Sequence, residues 1–170
     1  RTIMQKRTLS ILFVSLAVAA CGETGNGILA SETRAVPAFT EISNDSAASL
    51  YLTVGEAAYI DEVELRVSGD ENLLDDIHTR VVGNRLWVED DNYIGHHEHE
   101  LKIVAIVPVV SNLESNGSGN VEVAGFHGED LTLHSGGSGN VVIIGDLHEA
   151  NVLSSGSGDV DLGGTTHQLD

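Results

Sequence analysis

The stretch HHEHE at residues 96–100 concentrates metal-binding side chains in one short part of the chain. Its imidazoles, His96, His97 and His99, and its two glutamates are groups that bind Zn²⁺ or Cu²⁺. On a strand, His97 and His99 would share a face, because side chains alternate along a strand. The sequence names no more distant ligand, so a metal site and a solvated polar loop both remain open interpretations.

Two adjacent acid pairs, Asp75-Asp76 and Asp90-Asp91, are the candidates for catalysis. Paired carboxyl groups can cleave a glycosidic bond, one as the acid and the other as nucleophile or base. The chain holds 26 Asp and Glu residues, however, and pairs must then occur by chance. We therefore expect no enzymatic activity and no cofactor, with a carbohydrate-active enzyme as the alternative.

Three Gly-Ser-Gly segments carry the clearest pattern: SNGSGNVEV at 115–123, SGGSGNVVI at 135–143 and SSGSGDVDL at 154–162. No lysine follows these segments, which excludes a phosphate-binding loop. Each serine is directly next to both glycines in the sequence, whereas the nucleophile motif G-x-S-x-G has one residue between the serine and each glycine. Valine also stands where a calcium-binding nonapeptide would place aspartate. We therefore predict structural turns whose glycines are Gly117, Gly119, Gly137, Gly139, Gly156 and Gly158.

The segments around these turns are internal repeats spaced by 20 and 19 residues. Four residues after the first glycine of each turn stands a valine: Val121, Val141 and Val160. Matching positions of this kind predict a β-solenoid of about 20 residues per coil, in which equal positions stack about 4.8 Å apart. The alternative is an antiparallel meander in which each glycine segment is a hairpin loop.

The N-terminal half alternates apolar and polar residues in short runs, which predicts half-buried strands. Leu73, Leu74 and Ile77 share a helical face, which predicts one short helix near 70–77, with Asp70 as its cap. Residues 101–109 are apolar on both faces toward their end, which predicts burial on both sides or cover by a neighbour. The predicted strands are 36–43, 49–55, 61–69, two strands within 80–89 around Gly83-Asn84, and 101–109.

A formal net charge of −18 and only 4% aromatic residues limit the classes of partner. An acidic surface repels nucleic-acid phosphates and anionic membrane surfaces, so no nucleic-acid partner is expected. Abundant glycine with few aromatic residues is typical of short strands and turns.

The N-terminus has the layout of an export signal, with a basic start at Lys6-Arg7 and an apolar stretch over 9–20. The ending VAAC, at 18–21, resembles a bacterial lipobox, so residues 1–20 are predicted to be a lipoprotein signal peptide and Cys21 the lipidated N-terminus. An ordinary secretory signal is the alternative. We assign 21–34 to a flexible tether and 35–170 to the β-solenoid domain, which ends as another coil begins.

The segments RAVPAFTEI, SGDENLLDDI and NRLWV, together with the repeated GSG(N/D)V, resemble the putative auto-transporter adhesin head GIN domain family. The resemblance covers Arg34 to Asp170 and implies a right-handed parallel β-helix on a secreted or lipid-anchored bacterial envelope protein. It brings no catalytic residues. One departure is SNDSAASLYL at 43–52, which lacks the glycine turn that relatives often show there.

We therefore expect a non-enzymatic envelope protein that acts in adhesion, surface interaction or scaffolding. The lipid on Cys21 would be its membrane partner, and Gly22, which is not aspartate, favours the outer membrane. A glycan or an envelope protein is the expected ligand, and the last strand could associate edge to edge. A metal-binding envelope protein acting through residues 96–100 is a further alternative.

Overall fold

The computed structural model describes residues 22–55, 61–91 and 94–170. These residues form eleven strands and one 3₁₀ turn, Glu71–Leu73, which confirms the all-β prediction. The strands are β1 (Leu29–Pro37), β2 (Glu41–Asp45), β3 (Ser49–Val54), β4 (Glu62–Asp70), β5 (Ile77–Val82), β6 (Arg85–Asp90), β7 (Lys102–Val107), β8 (Asn112–Ser115), β9 (Val121–Ser135), β10 (Val141–Ser154) and β11 (Val160–Leu169).

Hydrogen bonds join the described strands into one sheet in the order β1-β4-β7-β3-β9-β8-β2-β6-β5, with β10 on β9 and β11 on β10. The pairs β1–β4, β4–β7 and β5–β6 are antiparallel, and the other pairs are parallel. The ends of the path, β1 and β5, meet where the Arg34 guanidinium donates to the carbonyls of Leu74 and Ile77. The sheet is therefore nearly closed.

The three repeats lie side by side in parallel register. Val141 of β10 is opposite Val121 of β9 on one side and Val160 of β11 on the other. The predicted contact between matched valines is confirmed, and the antiparallel meander is wrong for these repeats. Pairing among the N-terminal strands is mixed, because β1, β4 and β5 each have an antiparallel neighbour.

The core is built from the inward-facing positions of these strands. Leu50 of β3, Val121 of β9 and Val141 of β10 form one continuous row, and each is at most 1% exposed. Phe39 and Phe126 are the largest of the fully buried side chains among the described residues. Alternation along each strand turns the intervening side chains to the outer face, where polar residues stand beside exposed apolar ones such as Ile106 and Leu153.

The predicted helix near 70–77 is reduced to the 3₁₀ turn Glu71–Leu73. Asp70 makes no side-chain capping bond there, because its carboxylate accepts hydrogen bonds from two other segments. The prediction of burial on both faces of 101–109 is also wrong. Val104 and Ile106 of β7 are 42% and 64% exposed, so only one face of the strand packs on the core.

The segment assigned to a tether, 21–34, is ordered over its described part. Leu29–Arg34 belong to β1 and pair with β4, so the prediction of a flexible tether is wrong for them. Residues 22–28 lie along the loop at 94–99, where the Gly25 amide donates to the His96 carbonyl and the Gly95 amide to the Glu23 carbonyl. The folded part therefore begins closer to Cys21 than predicted; Cys21 itself lies outside the described residues.

The glycine turns stack directly on the backbone of the neighbouring repeat. A Cβ added at Gly137 would lie 2.1 Å from the carbonyl oxygen of Gly117, and one at Gly156 would lie 2.1 Å from that of Gly137. The φ angles of these turn glycines lie outside the left-handed region, so close approach and not backbone conformation requires glycine there.

Two buried serines precede these turns, and their hydroxyl groups lack hydrogen-bonding partners in the part of the chain that the structure describes. The hydroxyls of Ser115 and Ser135 have no hydrogen-bonding protein partner among the described residues, although both side chains are fully buried. Removing an unpaired buried hydroxyl removes a desolvation cost. We expect Ser135→Ala to leave the free energy of unfolding unchanged or to raise it by about 1 kcal/mol in urea titrations.

A matched buried polar residue supplies the contrast for that prediction. The amide of Asn44 donates to the Ala48 carbonyl at 3.1 Å and accepts from the Ser46 hydroxyl at 2.8 Å. Asn44→Ala should therefore lower the free energy of unfolding by about 1–3 kcal/mol. An equal loss in Ser135→Ala would show that the Ser135 hydroxyl is satisfied.

Candidate functional site

A set of polar side chains crosses three neighbouring parallel strands on the outside of the sheet. Asn112 of β8 is opposite Thr132 of β9, which is opposite Asn151 of β10, and Glu114 and His134 form the adjacent row. These five residues, here called the polar face, line an open depression of about 370 Å³ together with apolar side chains, among them the exposed Leu153 opposite His134. The spacing of parallel strands sets the distance between successive members, which gives a regular array of donors and acceptors.

The polar face points to solvent because the residues that alternate with it along the strands are buried in the core. Leu113 and Leu133, which alternate with the polar positions of β8 and β9, are at most 1% exposed. Asn112, Thr132 and Asn151 immediately precede the matched positions Leu113, Leu133 and Val152 of the repeats. The sequence prediction did not single them out, although the same repeat spacing could have identified them as one row.

Arg85 and Trp87 of β6 extend this surface across β2. Arg85 contacts the Glu41 carboxylate at 2.8 Å and the Glu114 carboxylate at 2.7 Å. The hydrogen bond with Glu41 raises the pKa of Arg85, burial opposes this, and Glu114 adds to the increase. The guanidinium also lies 5.6 Å from the centroid of the Trp87 ring, on the scale of a cation–π contact.

A second arginine lies on the same ring at this end of β6. Arg80 of β5 lies 5.3 Å from the same ring and forms a two-oxygen ion pair with Glu89. An aromatic ring beside charged and amide groups offers a polar ligand both an apolar face and hydrogen bonds. The arrangement offers hydrogen bonds and a ring, and no nucleophile paired with a base.

The histidines singled out as metal ligands do not converge. The ring of His99 contacts the Asp70 carboxylate at 2.6 Å, and the His97 ring lies 3.2 Å from the Gly95 carbonyl. Within the described parts of the chain, no group of three or more His, Cys, Asp and Glu side chains is placed to hold a metal ion. Metal binding by His96, His97 and His99 stays a prediction from sequence.

Asp70 instead fastens the N-terminal segment to the loop at 94–99. Its fully buried carboxylate accepts from the amides of Gly27, Glu98 and His99 as well as from the His99 ring. Burial alone would raise the pKa of Asp70, but the bonds from the His99 ring and these amides outweigh it, so the pKa lies below its usual value. These bonds therefore stabilise the fold at pH values above the pKa that Asp70 has in the unfolded chain. The stabilisation is lost as the pH falls through the lower pKa that Asp70 has in the folded chain.

One carboxyl from each predicted acid pair belongs to a single cluster. Asp76 lies with Glu23, Asp91 and His78, and one of its oxygens is buried without a hydrogen-bonding partner among the described residues. Burial raises the pKa of Asp76, and the carboxyls of Glu23 and Asp91 raise it further. The structure thus brings Asp76 and Asp91 together with Glu23 and His78, and the His78 ring lies 2.7 Å from the Asp91 carboxylate.

Because the pKa of Asp76 is raised, replacing its carboxyl group should increase the free energy of unfolding, by an amount that depends on pH. Above the pKa that Asp76 has in the folded chain, its carboxylate is ionised and lowers the stability of the fold. This cost disappears as the pH falls below the pKa of an aspartate in the unfolded chain, about 3.9. We expect Asp76→Asn to raise the free energy of unfolding at pH 7 by roughly 0.5 kcal/mol and to match the wild type at low pH. Urea titrations across this pH range measure it; a variant less stable at pH 7 would contradict the prediction.

The sequence matches the model of a known protein family. The family model described as putative auto-transporter adhesin, head GIN domain, matches residues 38–170. The chain belongs to this family. The match confirms the resemblance drawn from the sequence, and the family name describes adhesion and no catalytic activity.

Solved structures share the fold of this head GIN chain at low sequence identity. A putative lipid binding protein from Parabacteroides distasonis ATCC 8503 has a TM-score of 0.68 and 22% identity over 87% of this chain. A putative adhesin from Bacteroides fragilis NCTC 9343 has a TM-score of 0.69 and 21% identity over 87% of this chain. The chain spans 62% and 68% of the length of these two proteins.

A putative adhesin from the same Parabacteroides strain has a TM-score of 0.61 and 18% identity, with 86% of this chain and 70% of that one covered. No curated protein matches the chain. In the part of the head GIN chain that the structure describes, no helix has the length and hydrophobicity needed to cross a bilayer.

Proposed function

We propose that the chain is a non-enzymatic, lipid-anchored envelope adhesin that binds a glycan or an envelope protein through its polar face. The regular row Asn112, Thr132 and Asn151 is the observation that carries this proposal. Repeated amide and hydroxyl groups suit an extended ligand whose own polar groups repeat, and many weak contacts then add along the surface. The family membership supports a role in adhesion.

The proposal includes a structural part. We infer that the repeats wind as a right-handed parallel β-helix of about 20 residues per coil. The parallel register of β9, β10 and β11, offset by 20 and 19 residues, supports it. A stack of such coils would extend the rows of the polar face along one side of the molecule.

Anchoring and location are the remaining parts. Residues 18–21 support lipidation of Cys21, and Gly22 favours the outer membrane. Because residues 22–28 lie against the loop at 94–99, an anchor at Cys21 would hold that end of the molecule at the membrane. The polar face on β8, β9 and β10 is carried by other strands. Edge-to-edge association through β11 stays a prediction.

A glycan array probed with the full chain tests the binding proposal. The triple variant Asn112→Ala, Thr132→Ala and Asn151→Ala should lose binding, because it removes the row and leaves the buried leucines in place. Thr166→Ala on β11 is the control, since this exposed residue lies off the polar face and its hydroxyl donates to the Gln168 carbonyl. Binding that survives in the triple variant, or no binding by the wild type to glycans or to proteins of intact envelopes, would refute the proposal.

A further inference from the structure

Arg66 and Lys102 differ from the other basic side chains that the structure describes. Arg34, Arg80 and Arg85 each form an ion pair with a carboxylate. Neither Arg66 nor Lys102 does so with any carboxylate of the described residues. In a chain with a formal net charge of −18, two cations that pair with no described carboxylate are candidates to bind an external anion.

The strand register places these two cations together on the outer face. Lys102 of β7 is opposite Ser68 of β4, and Ser68 is opposite Ser31 of β1. Arg66 lies two residues before Ser68 on β4 and is therefore a diagonal neighbour of Lys102, roughly 7–8 Å away at the backbone. The exposed Ser31 and the largely buried Ser68, which is 8% exposed, thus lie beside two positive groups.

Exposed aliphatic side chains border the same place. Leu29 and Val104 line an open depression of about 550 Å³ with Arg66, Lys102 and the two serines. Leu29 is 64% exposed, and Val104 lies directly opposite Arg66. Aliphatic side chains beside cationic groups suit a ligand that carries both an anion and hydrocarbon.

Acidic residues limit the extent of this positive patch. Glu64 lies two residues before Arg66 on β4, and Glu100 lies two residues before Lys102. The Glu100 carboxylate accepts a hydrogen bond from the Tyr51 hydroxyl at 2.7 Å, which directs it toward β3. The cationic site is therefore bounded on the β3 side and opens toward β1.

We propose that Arg66, Lys102, Ser31 and Ser68 bind the phosphate of an anionic phospholipid headgroup, with Leu29 and Val104 against its glycerol and acyl carbons. A basic side chain near an anionic bilayer contributes about a fivefold increase in binding. The net negative charge opposes distant approach, so this contact acts only at short range. The site is separate from the polar face and does not depend on ligand binding there.

Co-flotation of the full chain with vesicles tests the site. The measured quantity is the ratio of binding to phosphatidylglycerol-containing vesicles over binding to pure phosphatidylcholine vesicles. Residues 1–21 are the same in every variant, so their contribution cancels when variants are compared. R66Q alone should lower the ratio roughly threefold to fivefold, and R66Q/K102Q roughly tenfold to twenty-fivefold.

Arg80→Gln is the matched control, because it removes the same charge from an exposed, ion-paired arginine. It should change the ratio less than twofold. An equal loss in R80Q, or no loss in R66Q/K102Q, would overturn the proposal. Displacement by inorganic phosphate at matched ionic strength as complete as that caused by R66Q/K102Q would show a free-anion site and would also overturn it.

Discussion

Gly137→Ala should lower the free energy of unfolding by about 3 kcal/mol, the upper range for overpacking a close contact. The added methyl would lie 2.1 Å from the Gly117 carbonyl oxygen and 2.6 Å from backbone atoms of Asn116. Relief requires the two turns to separate, and separation would stretch the hydrogen bonds between β9 and β10. Urea unfolding followed by circular dichroism measures the loss.

The neighbouring glycine supplies the control for this substitution. A Cβ at Gly136 would lie 2.9 Å from the end of the flexible Asn116 side chain and 3.9 Å from the Ser155 hydroxyl, so it meets side chains and no backbone. The matched positions in the other repeats hold Asn116 and Ser155. Gly136→Ala should stay within about 0.5 kcal/mol of the wild type, since Ala also restricts the unfolded chain. Equal effects at both positions would contradict the stacking of the turns.

Leu133→Ala should cost about 2–5 kcal/mol, because it leaves a cavity in the row that joins β8, β9 and β10. Leu133 is 1% exposed and is opposite Leu113 on one side and Val152 on the other. These backbones are fixed by the sheet, so the cavity cannot close easily. Thermal or urea unfolding gives the size of the effect.

Thr132→Ala is the control on the same strand. Thr132 is exposed on the polar face, so its replacement should change the free energy of unfolding by less than about 0.5 kcal/mol. The two variants together separate the inward and outward faces of β9. A large loss in Thr132→Ala with a small loss in Leu133→Ala would reverse the assigned faces.

Repetition in the sequence explains why the C-terminal half was predictable. Equal residues recur at equal offsets, and parallel stacking is the arrangement that brings Val121, Val141 and Val160 together. The hairpin at Gly83 was also predictable, because a two-residue turn between alternating runs is a local signal, and Gly83 has a φ of 66°.

The N-terminal half lacked such a signal. The pairing of β1 with β4 depends on contacts between segments about 30 residues apart, for which no repeated residues give a register. The buried role of Asp70 was missed because an aspartate before an apolar run also fits a helix cap. Its partners, Gly27 and the loop at 94–99, become neighbours only in the folded chain.

The candidate sites were predictable only in part for a related reason. The neighbours of an outward-facing residue depend on which strands lie beside its own. Arg66 and Lys102 can therefore be recognised as a pair only once β4 and β7 are known to be adjacent. Conversely, His96, His97 and His99 are close in sequence, but His99 turns to Asp70.

Methyl–methyl nuclear Overhauser effects of Val141 test the stacking of the repeats most directly. We predict cross-peaks from Val141 to both Val121 and Val160, because parallel neighbours in register bring all three side chains into contact. Observation of both would support the stacked coils and the polar face built on them. Absence of either contact, with Val141 instead close to residues at other repeat positions, would contradict the fold and the function proposed from it.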